Sequence, residues 1–275
     1  MDVLRISSCA IVLVWALSAC TTLPQGESSE VMEQDTSAAA QGAVAIARNP
    51  WTDVSGVFIS SATKTPASPV APWSHFRFPG KAATLYSYAF EDGRPTMLGR
   101  SSASSSVLRR EVDIPAGQIG EINFEWKVPA LLKPCEGVTL DKDDSSARVF
   151  LTFEGDRNKF STKNAVVSEL AHLLMGEPLP YATLAYVWSN DQPLESVINS
   201  ARTDRVRSIV VESGSAHLNQ WQTYARNIRA DFEKVFGEAP GALLRVAVMT
   251  DNDSTCSPVS AWYGAVSFKA GTLQK

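Results

Sequence analysis

The chain has 275 residues, with 29 Asp and Glu against 25 Lys and Arg, for a formal net charge of −4. A mildly acidic protein without a basic block is a poor partner for nucleic acid. At 44% hydrophobic residues it carries enough apolar material for a globular core, yet beyond its first twenty residues no apolar run reaches the ~20 positions of a membrane span.

The N-terminus addresses the protein first. Ile6 to Leu17 is almost wholly apolar and follows Arg5, with Asp2 offsetting that charge. Such a run is too short to span a bilayer and suits a signal-peptide hydrophobic region. It ends in Leu17-Ser18-Ala19-Cys20, which resembles the lipobox of bacterial lipoproteins. The resemblance implies cleavage before Cys20, acylation of its thiol and amino group, and stable anchoring by several acyl chains. Thr21, in place of Asp, implies sorting to the outer membrane. Residues 1–19 are therefore expected to be signal peptide. Residues 20–50 are expected to be the lipidated cysteine and a polar, small-residue tether with a reach of about 30 Å. Residues 51–275 are expected to form one domain.

From Trp51 onward the chain is mostly strand-like. "TLYSYAFE" alternates in polarity, and "EINFEWKV" does so sharply: Ile122, Phe124, Trp126 and Val128 share one face, Asn123, Glu125 and Lys127 the other. This two-residue period marks half-buried antiparallel strands. "ARVFLTFE", "ATLAYVWS", "RSIVVES", "LLRVAVMT" and "AWYGAVSF" follow, rich in β-branched and aromatic residues and separated by turn-forming Gly, Asp, Asn and Pro. Two segments carry helical spacing instead. "STKNAVVSELAHLLMG" sets Val166, Leu170, Leu173 and Leu174 on one stripe before Gly176. "NQWQTYARNIRADFEKVFG" does the same with Trp221, Tyr224, Ile228 and Phe232 before Gly237. Two helices are too few for repeated βαβ units. The expected fold is a mainly β antiparallel sandwich, jelly-roll-like, with two amphipathic helical insertions lying against sheet.

The segments "ARVFLTFEGD", "LPYATLAYVWSN", "RVRSIVVESG", "QWQTYARNIRADFEKVFGEAPG", "VAVMTDNDST" and "AWYGAVSF", in that order, resemble an uncharacterised bacterial family, domain of unknown function 3047. The resemblance runs from about Trp73 to Phe268, with "SSASSSVLRREVDI" fitting too. It implies an exported protein and this type of fold, and no particular reaction. The chain departs from the family pattern at Phe124, where a second Trp is common, and at Ala265, where an Asp often follows "WYG". A more distant resemblance is to galactose-binding-like carbohydrate-binding jelly rolls, at the level of fold alone.

Four candidate features remain. Cys135 and Cys256, both in loop contexts within an oxidising compartment, read as a disulfide. Closing that long loop would contribute about 4–5 kcal/mol by chain entropy; the alternative is two unrelated thiols. Asp251-Asn252-Asp253 begins like a calcium loop, but Cys256 and Trp262 occupy its sixth and twelfth positions, so it is not an EF-hand. With Asp144 from the other acidic loop it could hold a structural Ca²⁺; the competing reading is turn formation by Asp and Asn. Tyr186, Trp188, Arg148 and Glu212 are candidates for a polysaccharide groove, aromatic faces stacking on sugar rings while Arg and Glu bond hydroxyls; the competing reading places the aromatics in the core and pairs Arg148 with Glu212. Trp262 joins the ligand-binding candidates. Glu125, Glu154, Glu212 and Asp144 could in principle supply a glycosidase pair. However, "EINFE" is not the E-x-D-x-E strand of jelly-roll glucanases, and "ESGSAH" is not a nucleophile elbow. His75, His172 and His217 lack metal-ligand spacing, and no nucleotide-binding glycine motif occurs. The expected role is non-catalytic binding of a glycan or other envelope polymer. A glycan hydrolase or lyase using acids in the same groove, and a structural partner in an envelope assembly, are the alternatives.

Overall fold

Backbone pairing follows the alternating segments. The structure, a computed structural model, describes residues 72–134, 136, 145–252, 255 and 257–271. Among them are the strands β1 (Ser74–Arg77), β2 (Leu85–Glu91), β3 (Arg94–Ser101), β4 (Ser106–Ile114), β5 (Glu121–Lys127), β6 (Ala147–Phe153) and β7 (Ala182–Ser189). Then come β8 (Val197–Asn199), β9 (Val206–Ser213), β10 (Gln222–Asn227), β11 (Leu243–Met249), β12 (Val259–Tyr263) and β13 (Ser267–Lys269). Helix α1 (Thr162–Met175) joins β6 to β7, and α2 (Ile228–Phe236) continues directly from β10.

Two sheets face each other. One has seven strands in the order β1-β4-β11-β6-β7-β9-β8; the other has six, β10-β5-β12-β3-β2 with β13 on β5. The fold is the mainly β sandwich expected. Ile122, Phe124 and Trp126 from β5 meet Val149, Leu151, Phe153, Leu184, Tyr186 and Trp188 from β6 and β7 in one core. All pairings between neighbouring strands are antiparallel except β7 with β9. The connection between those two strands carries β8, which returns along the edge of β9.

One strand departs from the alternating pattern, and two local expectations change. The alternation signal is absent from β7 because all eight of its residues are buried; a second cluster of Ala185, Val187, Ile198 and Val210 closes its outer face.

The second predicted helix is only half helical. Gln222–Asn227 is strand, paired with β5 from Gln222↔Trp126 to Asn227↔Glu121. Tyr224 stacks on Phe124 at 5.1 Å, a contact that requires the extended backbone. The helix begins where Asn227 accepts a hydrogen bond from the Ala230 amide. Its buried stripe is Ile228, Asp231, Phe232 and Val235, and Gly237 ends it at φ 72°.

Helix α1 has the predicted extent, with Ser161 as N-cap and Gly176 at φ 78°. Its packing is inverted. Asn164, Ser168 and Ala171 face inward, while Val166, Leu170, Leu173 and Leu174 are exposed.

Candidate functional site

The predicted groove of Tyr186, Trp188, Arg148 and Glu212 does not exist as one surface. Val149 lies opposite Tyr186, and Arg148 opposite Val187, so Arg148 is on the other face of the sheet from the two aromatics. Tyr186 and Trp188 are both 0% exposed. The Tyr186 hydroxyl donates to Asp231 Oδ2 at 2.9 Å, and the Trp188 indole N–H donates to the Gly214 carbonyl at 3.0 Å. Burial first, and the Asp231 charge next, hold the Tyr186 phenol well above its usual range. These rings are core with satisfied polar tips and cannot stack on a sugar.

Arg148 pairs with Asp251 rather than Glu212, both side chains being almost wholly buried. That ion pair engages the carboxylate that a calcium loop would have offered to a cation. Glu212 instead accepts from the Tyr224 hydroxyl and the Ser213 amide, each at 3.0 Å. His217 Nδ1 lies 3.2 Å from it. Among the described residues no cluster of His, Cys, Asp and Glu has the make-up of a metal site. Cys20, Cys135, Asp144, Asp253 and Cys256 lie outside the described residues. Asn252, between the two loop acids, is a turn-former: its Oδ1 accepts from the Ser101 hydroxyl at 2.7 Å and the Ser104 amide at 3.3 Å. Its Nδ2 donates to the Ser257 carbonyl at 2.8 Å.

Trp262 is the candidate that faces outward. On β12, Val259, Ala261 and Tyr263 are buried, and the intervening Ser260 and Trp262 are half-buried. Register places Trp262 between Leu98 of β3 and Lys127 of β5. The outer face of the six-stranded sheet thus carries Trp262 with the Lys127 ammonium 5.6 Å from its ring centre. Lys127 is itself held by Glu91 and, at 2.9 Å, by Asp92. The hydrogen bond to Glu91, followed by that to Asp92, raises the Lys127 pKa above its ordinary value. Lys127 in turn holds the Asp92 carboxyl below the ordinary carboxylate range.

Asp92 also accepts from the Trp221 indole N–H at 3.0 Å, and Arg94 sits 5.0 Å from the Trp221 ring while pairing with Glu125. Two indoles and a lattice of paired charges therefore share one surface. One row further along, Leu85, Arg100 and Ser260 are register partners on the same face. They border an open depression of about 420 Å³ that Ala83, Ser102 and Ser104 also line. Ser101 and Ser104 hydrogen-bond to each other there, which ties this depression to the Asn252 turn.

A family model for proteins of unknown function, DUF3047, matches residues 71–267. The chain belongs to that family. No curated protein matches the sequence. Among solved structures, this DUF3047 member is similar to the xyloglucanase domain of NopAA, a type three effector from Sinorhizobium fredii, in complex with cellobiose. That likeness has 10% identity and TM-score 0.34, over 74% of this chain and 100% of that one. It is similar to a structure described as CBM4, at 8% identity and TM-score 0.33 over 81% and 99% of the two chains. The glycoside hydrolase domain of Endo-D from Streptococcus pneumoniae R6 is similar at 6% identity and TM-score 0.32 over 73% of this chain, which spans only 22% of that one.

The residues sequence reasoning missed here are Trp221, Lys127, Glu91, Asp92, Arg94 and Arg100. A partial signal existed: the polar face of "EINFEWKV" already grouped Glu125 with Lys127. Trp221 has helical spacing with Tyr224, Ile228 and Phe232, which sets it apart from them in sequence.

Proposed function

We propose that this protein is a non-catalytic glycan-binding module, anchored to the bacterial outer membrane by lipid on Cys20 and facing the periplasm. The observation that carries the binding reading is the outward Trp262, with Trp221 beside it on a charge-paired face. An aromatic plane offers the apolar C–H face of a sugar ring a large contact at little entropic cost. The surrounding Arg and carboxylate groups suit its hydroxyls. Lys127 is already pinned by two carboxylates, so the platform is pre-organised and little ordering remains for the ligand to offset. The adjoining 420 Å³ depression is of ligand-pocket size. A general acid needs a raised carboxyl pKa, and Asp92, held down by Lys127, does not offer one.

The test is affinity electrophoresis and calorimetry of the full chain against neutral and acidic polysaccharides. Trp262→Ala should weaken binding at least ~10-fold, the loss of one stacking contact of about 1.4 kcal/mol. Circular dichroism should show the fold retained, at a lower melting temperature because a half-buried ring gives up its packing. Failure of the protein to bind any polysaccharide, or unchanged binding by the variant, removes the proposal. Fatty-acid labelling that persists in Cys20→Ala removes the anchor.

A further inference from the structure

Helix α1 exposes a continuous apolar stripe. Val166, Leu170, Leu173 and Leu174 stand at i, i+4, i+7 and i+8 and are 62%, 52%, 83% and 60% exposed. This is one face of a helix, and it points away from the domain because the opposite face, Asn164, Ser168 and Ala171, is the one that packs. Asn164 fixes the helix by donating to Asp204 and accepting from the Thr203 hydroxyl at 2.8 Å. Phe160, just before the cap, stacks on Tyr181 at 5.9 Å with planes 4° apart. The helix is thus seated through small and polar side chains, with its large apolar ones left in water. Soluble proteins seldom leave such a stripe uncovered without a partner for it.

We infer that this stripe rests on the surface of a lipid bilayer. Three observations select that occupant. The stripe is four side chains on one helix face, far fewer than the ~20–30 residues that each side of a stable dimer interface contributes. A bilayer has no such minimum when the protein is already tethered, since the tether supplies the local concentration. At the N-terminal end of the helix the exposed cations Arg157, Lys159 and Lys163 outnumber the exposed carboxylates Glu154 and Asp156, a net positive margin for anionic headgroups. Glu169 and His172 border the stripe on its other side, so the apolar arc has a polar margin, as in-plane interfacial helices do. This inference rests on the lipid anchor at Cys20. It also fits the proposed binding face: α1 is carried by connections of the seven-stranded sheet, whereas Trp262 lies on the outside of the other, so docking through α1 leaves the platform uncovered.

The experiment uses the lipidated full chain in vesicles of phosphatidylethanolamine and phosphatidylglycerol, with a benzophenone amino acid replacing Leu173. A control carries it at Thr223, exposed on β10. Irradiation should give phospholipid adducts at 173 at least ~10-fold above those at 223. Adding Leu170→Glu and Leu174→Glu should bring the yield down to the control. Both positions are exposed, so circular dichroism and melting should match the parent. Equal yields at 173 and 223, or an adduct at 173 with a second copy of the chain, overturn the inference. Vesicle flotation of Cys20→Ala is scored separately: undiminished flotation defeats the anchor, whereas the adducts at 173 report on the helix.

Discussion

Replacing Tyr186 by Phe removes one oxygen from a sealed interior and separates a structural role from a ligand-binding one. The ring stays: it is 0% exposed and stacked on Phe124 at 5.4 Å, so no cavity opens. What is lost is a single hydrogen bond to Asp231 Oδ2 at 2.9 Å. Bonds to a charged acceptor contribute about 1.5–3 kcal/mol. Asp231 keeps two bonds from Arg226, Nε at 2.9 Å and Nη2 at 2.8 Å, so its charge remains partnered and the cost falls toward the lower part of that range, about 2 kcal/mol. For a domain of this size each kcal/mol moves the midpoint by roughly 2–4 °C. Calorimetric melting should therefore show a drop of about 4–8 °C, with the urea m-value unchanged and polysaccharide affinity intact. An unaltered midpoint combined with lost affinity would mean that Tyr186 reaches ligand, and the division of this sandwich into core and platform would be wrong.

Three further perturbations probe other parts of the domain. Gly155→Ala would set a methyl 2.1 Å from Tyr181 Cδ1. That ring cannot swing aside, being stacked on Phe160 and covered by Arg205 at 4.0 Å, so urea titration should record a loss of about 1–3 kcal/mol. Asn227→Ala removes the acceptor for the Ala230 amide at the strand-to-helix junction. A loss near 1 kcal/mol is expected by the same titration, and a neutral result would show that the cap is satisfied by water.

The third is acid titration. Hydrogen bonds from Arg226 and then Lys234 lower the Glu195 pKa from 4.5 to about 2 in the folded protein. A carboxyl depressed on folding stabilises fully above its unfolded value and loses that contribution as pH falls through the folded one. In a sealed site this displacement would be worth ~3 kcal/mol. The Glu195 side chain is 51% exposed, which screens it to about 1 kcal/mol. Stability of the parent should thus fall by about 1 kcal/mol more than that of Glu195→Gln between pH 4.5 and 2; parallel curves would dismiss the network as a contributor.

Local pattern alone determined the class of fold and several of its parts. Wherever one face of a strand meets core and the other meets water, polarity alternates, and β5 could be read residue by residue. Ser161 and Gly176 bracket α1 because capping is a matter of neighbouring residues. Long-range pairing decided the rest. β7 has no alternation because a second layer covers its outer face. Trp221 and Tyr224 have helical spacing relative to Ile228 and Phe232, but the free edge of β5 draws residues 222–227 into a strand. Four leucine and valine positions on α1 look like a core stripe in sequence, and only the seating of Asn164 on Thr203 and Asp204 shows them turned outward. The candidate binding face has the same origin. Trp262 could be picked out by its parity on β12, whereas its meeting with Lys127 depends on the register between β12 and β5, and that of Asp92 with Trp221 on side chains 129 positions apart in sequence. Register is set by the summed burial of both sheets, a quantity no short window of sequence contains.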